Sequence, residues 1–201
     1  MEKNESFSDF DVRTCVQRMR SGGGATICNF LSNTVRNALL DELRRYDLQE
    51  QPALYGAYDT RQAFASVSSF ANDSLFVSVA GQLELFLEKK FRECSPYPFS
   101  EPVRFTDLVV QRYQPGPIGI APHRDGKSFI NVVAVLILEG EARFCFCDDR
   151  EGNNFRPMRN QPGDLLLMRA PGFLGEDVQP FHFVDSITQQ RTTFALRQKK
   201  K

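Results

Sequence analysis

The second half of the chain is a series of short runs rich in β-branched, aromatic and large aliphatic residues, separated by turns that contain Pro, Gly or Asp. Runs of this length and composition are typical of β-strands. So many short strands in succession restrict this half to a sandwich or a small barrel. From about residue 103 the sequence predicts at least six strands, in the segments RFTDLVVQRY, INVVAVLIL, ARFCFC, DLLLMRA, PFHFV and RTTFALRQ.

The first half has a different pattern. Two segments, NTVRNALLDELRRYDL and SLFVSVAGQLELFLEKKF, place Leu or Phe at helical spacing and predict two helices, the first capped by Asn33 or Thr34. The sequence SGGG at 21–24 predicts a loop that ends a polar, flexible leader over residues 1–24. We therefore expect an α+β protein with a single domain over residues 25–198.

The composition argues against several classes of protein. The chain has no apolar tract long enough to span a membrane and no N-terminal secretory pattern, so we expect a cytoplasmic location, without excluding the nucleus, and no membrane partner. Its 5 cysteines, an odd number, are expected to be reduced thiols. Basic and acidic residues balance at 25 each, which does not favour a dedicated polyanion binder, although a local basic patch stays open.

The 2 histidines of the chain predict a metal site. If APHRDG ends a strand, His123 and Asp125 point to the same face, and His182 in the apolar strand PFHFV can supply a third ligand. Two nitrogens and one oxygen leave three positions open, which suits non-haem Fe(II), whereas structural zinc normally takes four protein ligands. In isolation, His-x-Asp is more typical of a surface histidine followed by a turn aspartate.

The last predicted strand carries two arginines on one face. Arg191 and Arg197 in RTTFALR are an even number of positions apart, so they share a face with Thr193. Buried arginines require either carboxylates of the protein or an anionic ligand. A dicarboxylate such as 2-oxoglutarate would satisfy both guanidiniums, while a structural ion pair or an exposed edge strand is the alternative.

Taken together, these motifs resemble the AlkB-like branch of the Fe(II)- and 2-oxoglutarate-dependent dioxygenases. The resemblance covers roughly residues 105–198, and four segments carry it: QRYQPG, HRD at 123–125, PGDLLLM and RTTFALRQ. It implies a double-stranded β-helix (jelly-roll) core over residues 103–198, with N-terminal helices and a substrate lid over residues 25–102. It also implies that the chain uses dioxygen, releases succinate and CO2, and hydroxylates or demethylates its substrate.

The resemblance assigns roles to individual residues. It implies that His123, Asp125 and His182 hold the iron, and that Arg191, with Thr193 two positions on, binds the distal carboxylate of 2-oxoglutarate. By the same resemblance, Tyr113 corresponds to a tyrosine that donates to this carboxylate, and Arg197 corresponds to a second arginine near the metal. Gln111 occupies a position where the branch usually has Asn.

The substrate stays open at this stage. Repair enzymes of the branch tend to carry an acidic residue where this chain has Lys127, and the chain has no Trp to stack a flipped base. The interval from His182 to Arg191 is also shorter than is usual in those enzymes. An alkylated nucleobase in DNA or RNA, a small molecule and a protein side chain are all candidate substrates, and a non-catalytic jelly-roll binding module is the alternative to an enzyme. Four aromatic residues of the predicted lid could replace the missing Trp: Tyr55, Tyr58, Phe64 and Phe70.

Overall fold

The computed structural model describes residues 10–200, which form helices in the first half and strands throughout. The helices are α1 (Val12–Gly22), α2 (Asn33–Leu43) and α3 (Leu75–Phe91). The strands are β1 (Gly24–Ile27), β2 (Gln49–Glu50), β3 (Leu54–Tyr55), β4 (Thr60–Arg61), β5 (Ala65–Val67), β6 (Asp107–Tyr113), β7 (Gly116–His123), β8 (Phe129–Glu139), β9 (Arg143–Cys147), β10 (Arg156–Met158), β11 (Leu165–Arg169), β12 (Phe181–Ile187) and β13 (Arg191–Lys199).

Two antiparallel sheets form the core of the fold. The larger sheet has the strand order β1-β11-β8-β13-β6-β5-β2, and the smaller one has the order β10-β9-β12-β7. Strands that follow one another in sequence, such as β7 and β8, alternate between the two sheets, as in a double-stranded β-helix. The predicted jelly-roll core is therefore confirmed. The larger sheet also recruits β1, β2 and β5 from the first half of the chain, which the sequence did not predict.

Each strand of the larger sheet separates two regions of the core. On β8, Val132 and Leu136 face the helices, whereas Val133 faces the smaller sheet. On β13, Phe194 and Leu196 likewise pack on the helix side. Because side chains alternate along a strand, the remaining β13 residues are directed between the two sheets. That alternation places polar side chains inside the sandwich without breaking the helix-facing core.

Both predicted helices are present. Helix α2 begins after Ser32, whose hydroxyl accepts a hydrogen bond from the Val35 amide, so the cap lies one residue before the predicted Asn33 or Thr34. Helix α3 is capped in the same way by Ser74. Together with α1, these helices cover the outer face of the larger sheet.

The prediction of a flexible leader is wrong for residues 12–22. Helix α1 is capped by the Asp11 carboxylate, and its buried face, Val12, Cys15 and Met19, belongs to the main core. Gly23 ends the helix with φ 92°, in the left-handed region that favours glycine. Gly24 starts β1, where a Cβ atom would lie 2.5 Å from the Phe146 ring. The glycines therefore join two ordered elements, and residues 1–9 lie outside the described part of the chain.

The first half also supplies a short hairpin at the edge of the smaller sheet. Strands β3 and β4 pair with each other, and Gln62 forms an isolated bridge with Ile120 of β7. This contact holds the hairpin next to the strand that ends at His123. Within residues 10–200, no helix is long and apolar enough to cross a membrane.

Replacing Met19 with Ala tests whether α1 is part of the folded core. Met19 is fully buried, so Met19→Ala is expected to lower the free energy of unfolding by about 2–5 kcal/mol in a urea titration. Gln17→Ala, on the exposed face of the same helix, should change the free energy of unfolding by less than about 0.5 kcal/mol. Equal, negligible effects of both substitutions would show that this segment does not pack on the domain.

Candidate active site

The pairing of β7 with β12 brings the two histidines together. His182 is the direct cross-strand partner of His123, and their ring centroids are 4.3 Å apart. Next to this pair β7 carries one extra residue, since Ile120 is opposite Val184, and this bulge includes Pro122, which has no amide hydrogen to donate to the ladder. Bulges of this kind commonly re-aim side chains at functional sites. Here the bulge lies beside His123.

Asp125 completes a group of three ligands. It follows the end of β7 by two residues, and one ligand atom from each of His123, Asp125 and His182 lies within 4.8 Å of the others. Each histidine has a backbone carbonyl near Nδ1: the Ala121 oxygen at 2.9 Å and the Pro180 oxygen at 3.3 Å. If these nitrogens carry the proton, both Nε2 lone pairs are left to bind a metal.

The surroundings of His123 and Asp125 favour the protonation states that bind metal ions. Burial and the neighbouring His182 ring lower the pKa of His123 to about 4, so the imidazole is neutral near pH 7. Burial alone would raise the pKa of Asp125, but electrostatic interactions with His182 and Arg197 bring it below its usual value. A neutral imidazole and a carboxylate are the forms that coordinate Fe(II).

Arg191 is a buried, charged residue of the site, and its burial is unfavourable for folding. It is 1% exposed and lies opposite Tyr113 in the pairing of β13 with β6. Its Nη2 donates to the Asn160 side-chain oxygen at 3.2 Å, whereas its Nε has no hydrogen-bond partner. Among residues 10–200, no carboxylate forms an ion pair with it, and burial lowers its pKa to about 10. The guanidinium is thus still positively charged near pH 7 and lacks an anion.

The neighbours of Arg191 offer further hydrogen-bonding groups. The Tyr113 hydroxyl is buried and donates to the Gln111 side-chain oxygen at 3.2 Å. Burial raises the pKa of Tyr113 to about 12, so the phenol keeps its proton and remains a donor. Thr193 is the cross-strand partner of Gln111 and is also buried.

Arg197 differs from Arg191 because it meets carboxylates of the protein. Its Nε lies 2.9 Å from Oδ2 of Asp107, although the atoms are not aligned for a hydrogen bond, and its Nη1 lies 3.8 Å from Oδ1 of Asp125. Its guanidinium also stacks on the Phe129 ring at 4.7 Å. The arginine pair therefore divides into one ion-paired member and one unpaired member.

A single cavity between the two sheets is lined by both histidines, Asp125 and both arginines. Every site residue predicted from the sequence lines it, together with an apolar wall. The predicted residues are Gln111, Tyr113, His123, Asp125, His182, Arg191, Thr193 and Arg197. The apolar wall consists of Ile120, Val133, Val135, Phe144, Met168, Val184 and Ala195. The cavity thus joins three side chains that could hold a metal ion to a buried cation without an ion pair.

The four aromatic residues predicted for the lid lie in two different environments. Tyr55 and Tyr58 are exposed and line a cleft that also contains His123, Asp125 and Lys127. Phe64 instead contacts the Tyr113 ring, and Phe70 packs on Phe76 in the helix-facing core. The expectation that Phe64 or Phe70 could stack a substrate base is wrong, because apolar packing inside the domain occupies both rings.

Two site residues were missed at the sequence level. Asp107 lies an even number of residues from Gln111 and Tyr113 on β6, so the three side chains share one face of the strand. The sequence therefore contained enough information to predict its position. Asn160 lies in the turn before β11, and nothing in the sequence connects it with Arg191.

Comparison with known proteins identifies the fold through structures alone. No protein-family model matches the chain, and no curated protein matches it. A prolyl-4-hydroxylase from Pseudomonas putida matches with a TM-score of 0.67 and 14% identity, covering 94% of this chain and 99% of that chain. A prolyl hydroxylase from Trichoplax adhaerens, solved with a hypoxia inducible factor oxygen degradation domain peptide, matches with a TM-score of 0.66 and 13% identity, covering 92% and 87%.

A third solved structure carries ligands. HygX from Streptomyces hygroscopicus, solved with nickel and 2-oxoglutarate bound, matches with a TM-score of 0.62 and 12% identity, covering 92% of this chain and 85% of that chain. At these identities the likeness shows a common fold.

The same substitution at the two arginines of β13 should have opposite effects on stability. Arg191→Met removes a buried charge that lacks an anion, and is expected to raise the free energy of unfolding of the ligand-free protein by about 1 kcal/mol. Arg197→Met leaves the largely buried Asp125 carboxylate without its cation, while Asp107 keeps only Lys199, and should lower the free energy of unfolding by about 2 kcal/mol. Chemical denaturation measures both; a comparable loss in each variant would mean that Arg191 has a structural partner.

Proposed function

We propose that this chain is an Fe(II)- and 2-oxoglutarate-dependent dioxygenase that hydroxylates its substrate. One observation carries the proposal: a single cavity contains three convergent metal ligands and a buried arginine that has no carboxylate among the described residues. Neither feature stabilises the ligand-free fold. Both are explained by a metal ion and a diacid that bind together.

The residues fit ferrous iron better than structural zinc. Two imidazole nitrogens and one carboxylate oxygen form a three-residue set, and the cavity beside them leaves room for further ligands. Structural zinc sites close with four protein ligands, often cysteines, and the chain's described cysteines lie outside this cavity. The donor set is that of non-haem Fe(II) oxygenases, in which open positions accept a co-substrate and dioxygen.

The opposite end of the cavity fits a carboxylate of 2-oxoglutarate. Arg191 has an Nε–H that lacks a partner, and the Tyr113 hydroxyl and Thr193 line the same space. Charge-assisted hydrogen bonds to a carboxylate would contribute about 1.5–3 kcal/mol each and would offset the burial of the guanidinium. The Asn160 side chain, which accepts from Nη2, holds the arginine in place for this contact.

The protein's own residues would bind, orient and shield the reacting groups. When bound, iron with 2-oxoglutarate and dioxygen supplies an oxidant that replaces a substrate C–H hydrogen with a hydroxyl group, while succinate and CO2 are released. His123, Asp125 and His182 would hold the metal, and Arg197 orients the Asp125 carboxylate through its ion pair. The apolar cavity wall excludes water from the reaction.

The comparisons favour a side chain or a small molecule as substrate. Two of the matching structures are prolyl hydroxylases by name, and one of them was solved with a peptide. Hydroxylation of a protein side chain or of a small molecule is thus the form of the proposal that these neighbours support. The AlkB-like assignment, with demethylation of an alkylated nucleobase, stays a prediction that rests on the sequence motifs and on the exposed rings of Tyr55 and Tyr58.

Succinate release tests the proposed reaction. The purified chain, supplied with Fe(II), ascorbate and 2-oxoglutarate, is expected to release succinate slowly even without an added substrate. Asp125→Ala should reduce this release to background and should abolish Mn(II) binding measured by EPR, because it removes one of three ligands.

Asp148→Ala provides the matched control. It removes an exposed carboxylate that pairs with Arg156 outside the cavity, and it should leave both readouts unchanged. Iron-independent succinate release, or a wild-type protein that neither binds Mn(II) nor consumes 2-oxoglutarate, would refute the proposed function.

A further inference from the structure

A cleft opens directly onto the metal ligands. We call it the mouth cleft. Its lining includes His123 and Asp125, together with residues of the β3–β4 hairpin, the turn after β9 and the loop before β12. Its cations are Arg124, Lys127 and Arg150. A substrate that reaches the metal from this side must pass these three positive charges.

The guanidiniums of Arg124 and Arg150 both lie against the ring of Phe181. The guanidinium carbon of Arg124 lies 4.1 Å from the centroid of the Phe181 ring, and that of Arg150 lies 5.5 Å from the same centroid. Strand β12 is flanked by β7 and β9, so the residue after β7 and the turn after β9 converge on Phe181 from its two sides. Phe181 alternates with His182 along β12, so its ring lies on the outer face of the strand. Both guanidiniums nevertheless line the mouth cleft together with His123 and Asp125.

The turn that carries Arg150 is fixed by its own hydrogen bonds. The Asp149 carboxylate accepts from the amides of Glu151 and Asn153, at 3.1 Å and 3.0 Å. Arg150 also stacks on the Tyr58 ring at 3.8 Å, which ties the turn to the β3–β4 hairpin. Stacking holds the flat face of a guanidinium and leaves its N–H edge free to donate.

Neither guanidinium is neutralised by the protein. Among residues 10–200, no carboxylate lies within ion-pair distance of Arg124, Arg150 or Lys127. Other arginines near the smaller sheet and its loops do have acidic partners, such as Arg143 with Asp185 and Arg156 with Asp148. The one other carboxylate that lines the mouth cleft, apart from Asp125, is the exposed Asp177. The cleft therefore has an excess of uncompensated positive charge.

A second groove on the outer face of the smaller sheet lacks this excess. Its lining contains two arginines, Arg61 and Arg150, but also the carboxylates of Asp59, Glu151 and Asp185, the last paired with Arg143. Of these two grooves, only the mouth cleft combines an excess of cations with the side chains that could hold a metal ion.

We propose that the substrate is a small molecule with an anionic group, a carboxylate or a phosphate, that binds between Arg124 and Arg150. This assignment rests on the proposed function, because the mouth cleft is the entrance to the proposed iron site. The stacked guanidiniums bind the anion through their free N–H edges, and the exposed rings of Tyr55 and Tyr58 contact the apolar body of the substrate. The anion thereby fixes which carbon faces the metal.

Inorganic phosphate is the probe that tests this site without turnover. It is titrated into metal-free, 15N-labelled protein while the arginine Nε–Hε signals are recorded; Arg124→Lys and Arg150→Lys assign the signals. We expect the Arg124 and Arg150 signals to shift together with one dissociation constant. Arg150→Ala should weaken phosphate binding at least about ten-fold, the loss of one charge-assisted contact. The absence of saturable shifts at these two residues would overturn the proposal.

Arg44→Ala is the matched control. Arg44 is the exposed residue that directly follows α2 and lies outside the mouth cleft, so its substitution should leave phosphate affinity unchanged. An equal loss in Arg44→Ala and Arg150→Ala would show that phosphate senses only the overall charge, and would also overturn the proposal.

Further probes identify the source of the anion. Acetate and a mononucleotide should shift the same two signals as phosphate, because each carries one anionic group. Tight binding of an oligothymidylate with a steep salt dependence, far above the affinity for a mononucleotide, would instead indicate a nucleic acid strand and would overturn the small-molecule assignment. Mn(II) binding followed by EPR on the same samples reports the iron site separately, so the two proposals can fail independently.

Discussion

The direct pairing of His123 with His182 is the contact on which the rest of the site depends. It fixes the register of β7 against β12 and brings two imidazoles to a centroid separation of 4.3 Å at the end of the smaller sheet. The position of Asp125 follows from that register, since the chain leaves β7 two residues earlier. Slippage by one residue would turn one histidine to the opposite face of the sheet and would remove the metal site.

The second constraint comes from the larger sheet. Strand β13 directs Phe194 and Leu196 to the helices and Arg191 to the interior, so one strand serves both the core and the site. The burial of Arg191 without a carboxylate destabilises the ligand-free domain. In the proposed function this unfavourable burial is offset by a bound carboxylate, and the three side chains that could hold a metal ion line the same cavity. Stability and function therefore make opposite demands on this position.

Much of this site could be predicted from the sequence, because it depends on the alternation of side chains between the two faces of a strand. The alternation in RTTFALR places Arg191 and Arg197 on one face whatever the fold around them. The ion pair of Arg197 with Asp107 could not be predicted, because it depends on the register between β13 and β6. Helix α1 was missed although its apolar residues have helical spacing, because its exposed face is strongly polar and its last residue is the first of three consecutive glycines. The arginines around Phe181 come from separate turns and meet only in the folded chain.

The claim that one cavity binds iron and 2-oxoglutarate together has a direct spectroscopic test. Fe(II) is added without oxygen to the protein saturated with 2-oxoglutarate, and the visible charge-transfer absorption of an iron-chelated 2-oxo acid is recorded. We predict a band that saturates at one iron per chain and that is lost at the same 2-oxoglutarate concentration in Arg191→Met. No band in the wild-type protein, or a band of equal strength in Arg191→Met, would contradict the account.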